Sequence, residues 1–164
     1  MNTSTDLRRT VESQIQAAFL GVTLGRGISL RQAQAIDDGT RFVSSASEEK
    51  NHWSRIPPDD LERDCVAHLD AEGFRYYIPA LMLSVLNHYN PSSMRVIGTL
   101  VSLYPKKGDA WEQQTQRYSL LNRSQKTAIA GFVAALPELV DLDIEGQKVV
   151  QRALRDYWGE YHQR

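Results

Sequence analysis

The sequence predicts a mainly α-helical fold, a compact bundle of about five to six helices in one domain over 1–164, with one short strand allowed at 95–104. Three observations predict it. Apolar residues recur near every 3.6 positions in the longer segments. Ser, Thr and Asn stand where those segments begin. Glycine and proline punctuate the gaps between them.

Ser4 or Thr5 is placed to cap a first helix whose Leu7, Val11, Ile15, Ala18 and Phe19 share one face, with Gly21 as its stop. The stretch 21–27 has three glycines and no helical pattern, so the chain turns there. Ser29 opens a second helix with Gln32 as capping-box partner; Leu30, Ala33 and Ile36 form its stripe and Gly39 ends it. Residues 40–56 are polar and read as a loop or short surface helix. Pro57 and Pro58 suit a helix's first turn. A third helix is expected over 58–68, with Asp59 and Asp60 at its positive end and Leu61, Cys65 and His68 turned inward.

The clearest core element is expected over 71–89, carrying Phe74, Tyr77, Ile78, Leu81, Met82, Val85 and Leu86. Pro79 removes a backbone donor inside it, predicting a kink or a break near Ile78. Residues 95–104 are β-branched and apolar, so strand and helix compete, and Gly98 weakens both. Asn122 or Ser124 caps a helix through Ile129, Phe132, Val133 and Leu136 that Pro137 ends or bends. A last helix runs over about 142–158, with Ile144, Val149, Ala153 and Tyr157 along it. Trp111 and Trp158 adjoin apolar positions and read as packing residues.

Composition sets the outer limits. A chain of 164 residues buries about 70% of its unfolded surface and holds a core without disulfides or metal. Its 19 basic and 20 acidic side chains leave a net charge of -1, which argues against dedicated nucleic-acid binding. The single cysteine, Cys65, cannot form an intramolecular disulfide, and a reducing compartment fits. No apolar run approaches the roughly 20 residues a membrane span needs. The N-terminus lacks the apolar core of a secretory signal. A cytoplasmic location is expected, with no membrane contact.

No catalytic set assembles along the sequence. Cys65 and His68 share a helical face, but a zinc site asks for about four ligands, and the other histidines, His52, His88 and His162, lack matching cysteines. No metal or cofactor is therefore expected, and Cys65 reads as a small buried residue. Asp64 and His68 stand four apart, as a surface pair or a fragment of a general base. Gly25-Arg26-Gly27 precedes a helix start yet matches no phosphate-loop pattern, and reads as a tight turn. Three acidic pairs, Asp37-Asp38, Glu48-Glu49 and Asp59-Asp60, fall between 37 and 60 around Trp53. Those seven residues are the candidate partner-binding surface, acidic with one aromatic anchor.

The runs GVTLG at 21–25, GISLR at 27–31 and AIDD at 35–38 resemble the opening of a bacterial family of small uncharacterised proteins. WSRIP at 53–57 and LDAEGFRYYIPALM at 69–82 resemble its central signature, and LLNRSQ at 120–125 with Ile129, Phe132 and Val133 is similar to its C-terminal part. The resemblance implies a shared fold and, the family being of unknown function, no catalytic residue. Within its central motif Arg75 or Tyr76 is expected to face outward.

The functional expectation is a non-enzymatic module that binds a protein partner stoichiometrically, most concretely an immunity protein neutralising a toxin. Two alternatives stand beside it: a small-molecule enzyme or sensor with Asp37, Asp38, Asp64 and His68 converging in a pocket, and a structural homodimer.

Overall fold

In a computed structural model, in which residues 3–63 and 65–162 are described, the chain folds into α-helices and short 3-10 turns, with no strand among the described residues. Among the described residues eight helices follow in order: α1 Thr3–Ala18, α2 Leu30–Asp37, α3 Pro58–Leu61, α4 Ala71–Asn87, α5 Met94–Ser102, α6 Trp111–Gln116, α7 Arg123–Leu139 and α8 Ile144–Asp156. The 3-10 turns lie at Trp53–Arg55, Val66–His68 and Trp158–Glu160. The expected five to six helices become eight because 95–104 is helical and a short piece, α6, fills a stretch with little periodicity.

Caps set the helix starts. Ser29 accepts from Gln32 N, Asn122 and Gln125 form a reciprocal capping box, and Asp143 accepts from Gly146 N. Ser4 and Thr5 lie inside α1 rather than at its cap. Gly21 has φ +77°, a left-handed turn open to glycine, just past the end of α1. The helix expected over 58–68 breaks into α3 and the turn Val66–His68, and His68 faces outward instead of inward.

Helix α4 is the central element. It runs unbroken through Pro79, and twelve of its residues are buried, among them Phe74, Tyr77, Ile78, Leu81 and Val85. Such an all-round apolar helix belongs inside a protein. Tyr76 is fully buried rather than outward, its hydroxyl donating to Glu49 O at 3.0 Å. Around α4 pack α5, the turn Trp53–Arg55 and α1, while α1 lies along α7 and α7 along α8. Helix α5 takes the place of the allowed strand because Val96, Thr99 and Leu100 recur at helical spacing on one buried side.

An aromatic cluster closes the C-terminal end. Trp158 is fully buried, its Nε1 donating to Leu103 O at 2.7 Å, and Tyr118 lies 4.8 Å from it between ring centroids. Ile144 is exposed at the first turn of α8, and Ile36, expected on the apolar stripe of the second helix, is half exposed near the end of α2.

Candidate functional site

The two best-marked sequence motifs meet at one junction. Asp70, the cap of α4, accepts from Gly73 N at 2.8 Å and also from Ile28 N at 2.9 Å. Glu72 Oε2 accepts from Arg26 N at 3.0 Å. The glycine loop at 25–27 is therefore docked on carboxylates of its own chain, which uses up the backbone donors an external anion would need. Close approach requires its glycines: a Cβ on Gly27 would sit 2.6 Å from Gly73 N.

The seven candidate partner-binding residues separate into two groups. Trp53 is buried, donating Nε1 to Phe19 O at 2.8 Å, and serves as core rather than as an exposed anchor. Asp60 is buried too, held by Arg31 through Nε at 2.9 Å and Nη2 at 3.0 Å, with Arg63 Nε at 3.4 Å. That fork-to-fork geometry is the strong form of an ion pair, and it raises the Arg31 pKa above its ordinary value. Glu48 is buried beside it; neither carboxylate oxygen accepts a hydrogen bond among the described residues, and Lys50 Nζ stands 3.8 Å away. Glu49 caps the loop, accepting from Asn51 N and His52 N at 2.8 Å each, which holds its carboxyl below the usual range.

Asp37, Asp38 and Asp59 remain exposed. Asp38 accepts from Gln34 Nε2 at 3.1 Å, and Asp37 Oδ1 lies 3.0 Å from His68 Nε2. The structure thus joins Asp37 and His68 across 31 residues. The expected Asp64–His68 pair involves Asp64, which lies outside the described residues.

Asp37 and His68 stand at a groove of about 330 Å³ whose walls include Ala67, Gly98, Val101 and Tyr104. The Tyr104 hydroxyl finds no partner among the described residues, and burial pushes its pKa up. Cys65 also lines the groove, but its thiol is buried and donates to Leu30 O at 3.2 Å, so it is committed to the fold. Beside the groove α5 presents an apolar row: Met94 is 55% exposed, Ile97 38% and Val101 66%. Spacings of three and four set them on one helical face. A second, larger cleft of about 630 Å³ opens between the end of α1, the turn Trp53–Arg55, α4 and α5. Among the described residues no group of three or more His, Cys, Asp and Glu is placed to hold a metal ion.

A protein-family model matches residues 7–162. The chain belongs to that family, a family of unknown function (DUF6714). Comparison with curated proteins and with solved structures finds no match. The match takes in both sides of the Asp70 junction and the walls of both cavities. Two features of this family member are not visible along its sequence. The α5 row sits in a segment with as much strand as helix character, and its outward Ile97 and Val101 look there like core. The Asp37–His68 pair joins residues with no informative spacing.

Proposed function

We propose that the chain is a non-enzymatic module that binds a protein partner, most specifically a bacterial cytoplasmic immunity protein that neutralises a toxin by stoichiometric binding. One observation carries the reading: the exposed row Met94, Ile97 and Val101 on α5 borders a groove rimmed by Asp37 and His68. An apolar centre with a polar rim is the anatomy of a protein interface, and exposed apolar patches on a compact protein mark partner sites. Asp37 supplies the acidic side of that rim, with the exposed Asp38 next to it in the chain, which suits a basic partner surface. Trp53, Glu48 and Asp60 contribute through the fold and not through contact. Blocking a toxin asks for shape and charge alone.

The test is co-purification of the tagged chain from cells that also make the product of the adjacent reading frame, compared with an Ile97→Asp, Val101→Asp double variant. A partner retained at near-equal stoichiometry by the native chain and lost by the variant is expected. Retention by the folded variant would remove this face from the interface, and no partner at all would remove the reading.

The Asp37–His68 pair supports a second reading, a small-molecule sensor or enzyme acting at the groove. A carboxylate held against an imidazole orients the ring and fixes its tautomer. A thermal-shift screen of metabolites checks it: a hit must vanish in both Asp37→Asn and His68→Gln, and the reading fails if no hit depends on them.

A further inference from the structure

The larger cleft has a chemistry of its own. Trp53, Ile56 and Leu83 give it apolar walls, while Ser84, His88 and Arg95 add polar groups. Its volume of about 630 Å³ suits a small organic molecule. Among the described residues that line it there is no Asp or Glu, against one arginine and two histidines, His52 and His88. No group in that lining would pair with a cation, which leaves the choice of charge to Arg95.

Arg95 is placed to make that choice. Its side chain is only 10% exposed, and its Nη1 pairs with Glu62 Oε1, itself 56% exposed. Its Nε is buried and meets no acceptor among the described residues. A buried donor without an acceptor is costly and calls for a physical reason. Arg75 and Arg152 also bury an unpartnered Nε while another of their nitrogens reaches a backbone carbonyl, but neither lines this cleft. Within this same molecule Arg31 shows what the Nε–Nη2 edge grips when satisfied, a carboxylate held at 2.9 and 3.0 Å. In Arg95 Nη1 is committed to Glu62, and the enclosed Nε is reached only if a ligand carboxylate shifts that pair.

We infer that this cleft is a binding site for an amphipathic organic carboxylate, its acid group on the Arg95 guanidinium in competition with Glu62 and its apolar body against Trp53, Ile56 and Leu83. Glu62 is the built-in competitor: a ligand carboxylate shares Arg95 with it, so removing the Glu62 charge strengthens binding. The site is separate from the α5 face proposed for a protein partner and stands or falls without it.

Titration of the full chain with decanoate, decanol, decylammonium and decyl phosphate, followed by calorimetry and tryptophan fluorescence, tests the assignment. Decanoate is expected to bind at least about tenfold more tightly than decanol, the scale of one charge-assisted contact. Decylammonium binds more weakly still. Decyl phosphate distinguishes a general oxyanion site, if it matches decanoate, from a carboxylate site; tighter binding than decanoate overturns the carboxylate assignment. Arg95→Gln should bring decanoate down to decanol, and Glu62→Gln should tighten decanoate several-fold. Absence of saturable decanoate binding, equal affinity for decylammonium, or an unchanged decanoate preference in Arg95→Gln overturns the proposal. The comparison of head groups in the native chain keeps it falsifiable even where the Arg95 variant does not fold.

Discussion

Substituting Gly73 by Ala tests the junction that seats the loop around Gly27 and Ile28 on α4. Gly73 lies in the first turn of α4, where alanine ordinarily favours a helix by somewhat under about 1 kcal/mol. Here the added Cβ would stand 2.2 Å from Ile28 O and 3.0 Å from Asp70 Oδ1. An oxygen normally keeps about 3.3 Å from carbon, so the loop must retreat by roughly 1 Å. Ile28 O is backbone and cannot rotate away. The retreat stretches the Ile28 N bond to Asp70, worth about 1 kcal/mol, and overpacking adds about 1–3 kcal/mol. The net expectation is a loss of about 1–3 kcal/mol in urea unfolding with an unchanged m-value. Gly131→Ala is the control. Its Cβ would meet only Gln14 Oε1, at 3.1 Å, the free end of an exposed side chain that can swing aside, so this change should be neutral or stabilising by up to about 1 kcal/mol. Equal stability of the two variants would refute the reasoning.

Three further outcomes are expected. Arg31→Met leaves the buried Asp60 with Arg63 alone, at 3.4 Å, and should cost about 2–4 kcal/mol in urea unfolding; a cost under about 1 kcal/mol would mean that the pair is not structural. Tyr76, Tyr77, Tyr104 and Tyr118 all have raised pKa values, chiefly through burial. Unfolded tyrosines ionise first, so this stability is complete below about pH 10 and falls above it; tyrosinate absorbance of the folded chain rising for all seven tyrosines near pH 10 would contradict the burial. For Glu49, whose pKa is lowered by the Asn51 and His52 N–H groups, the sign reverses. Its contribution is present above roughly pH 4.3 and is lost as the pH falls through its lowered folded value, so Glu49→Gln should flatten the acid limb of the stability profile, and an unaltered limb would count against the cap.

How far the sequence carried the fold depended on whether the deciding interaction was local. Ser29, Asn122 and the apolar face of α4 act within a few residues of themselves, and their roles follow from spacing alone. The segment 95–104 failed as a local reading because its β-branched side chains satisfy both periods; only burial of Val96, Thr99 and Leu100 against the rest of the core decides for a helix. Trp53 looked free because its neighbours are polar, whereas its partner, Phe19 O, lies 34 residues away. Asp60 read as half of an acidic pair until Arg31 claimed it from 29 residues upstream. The candidate surface shifted for the same reason. Carboxylates adjacent in sequence were sorted by distant partners into structural ones and exposed ones, and the exposed Asp37 found its histidine across the chain.

The doubled role of Asp70 has a kinetic consequence. One carboxylate oxygen both starts α4 and holds a segment 42 residues earlier in the chain. The local bond to Gly73 forms with the helix, but the bond to Ile28 must wait for a long loop to close, a slow and entropically costly event. The expected order is therefore that the α4 cap forms before the Ile28 segment docks on it, which φ-values at Asp70 and Ile28 would check. In the native protein that same seam is where reversible opening would begin, releasing the amides of Arg26 and Ile28 to solvent exchange together while the buried body of α4 stays protected.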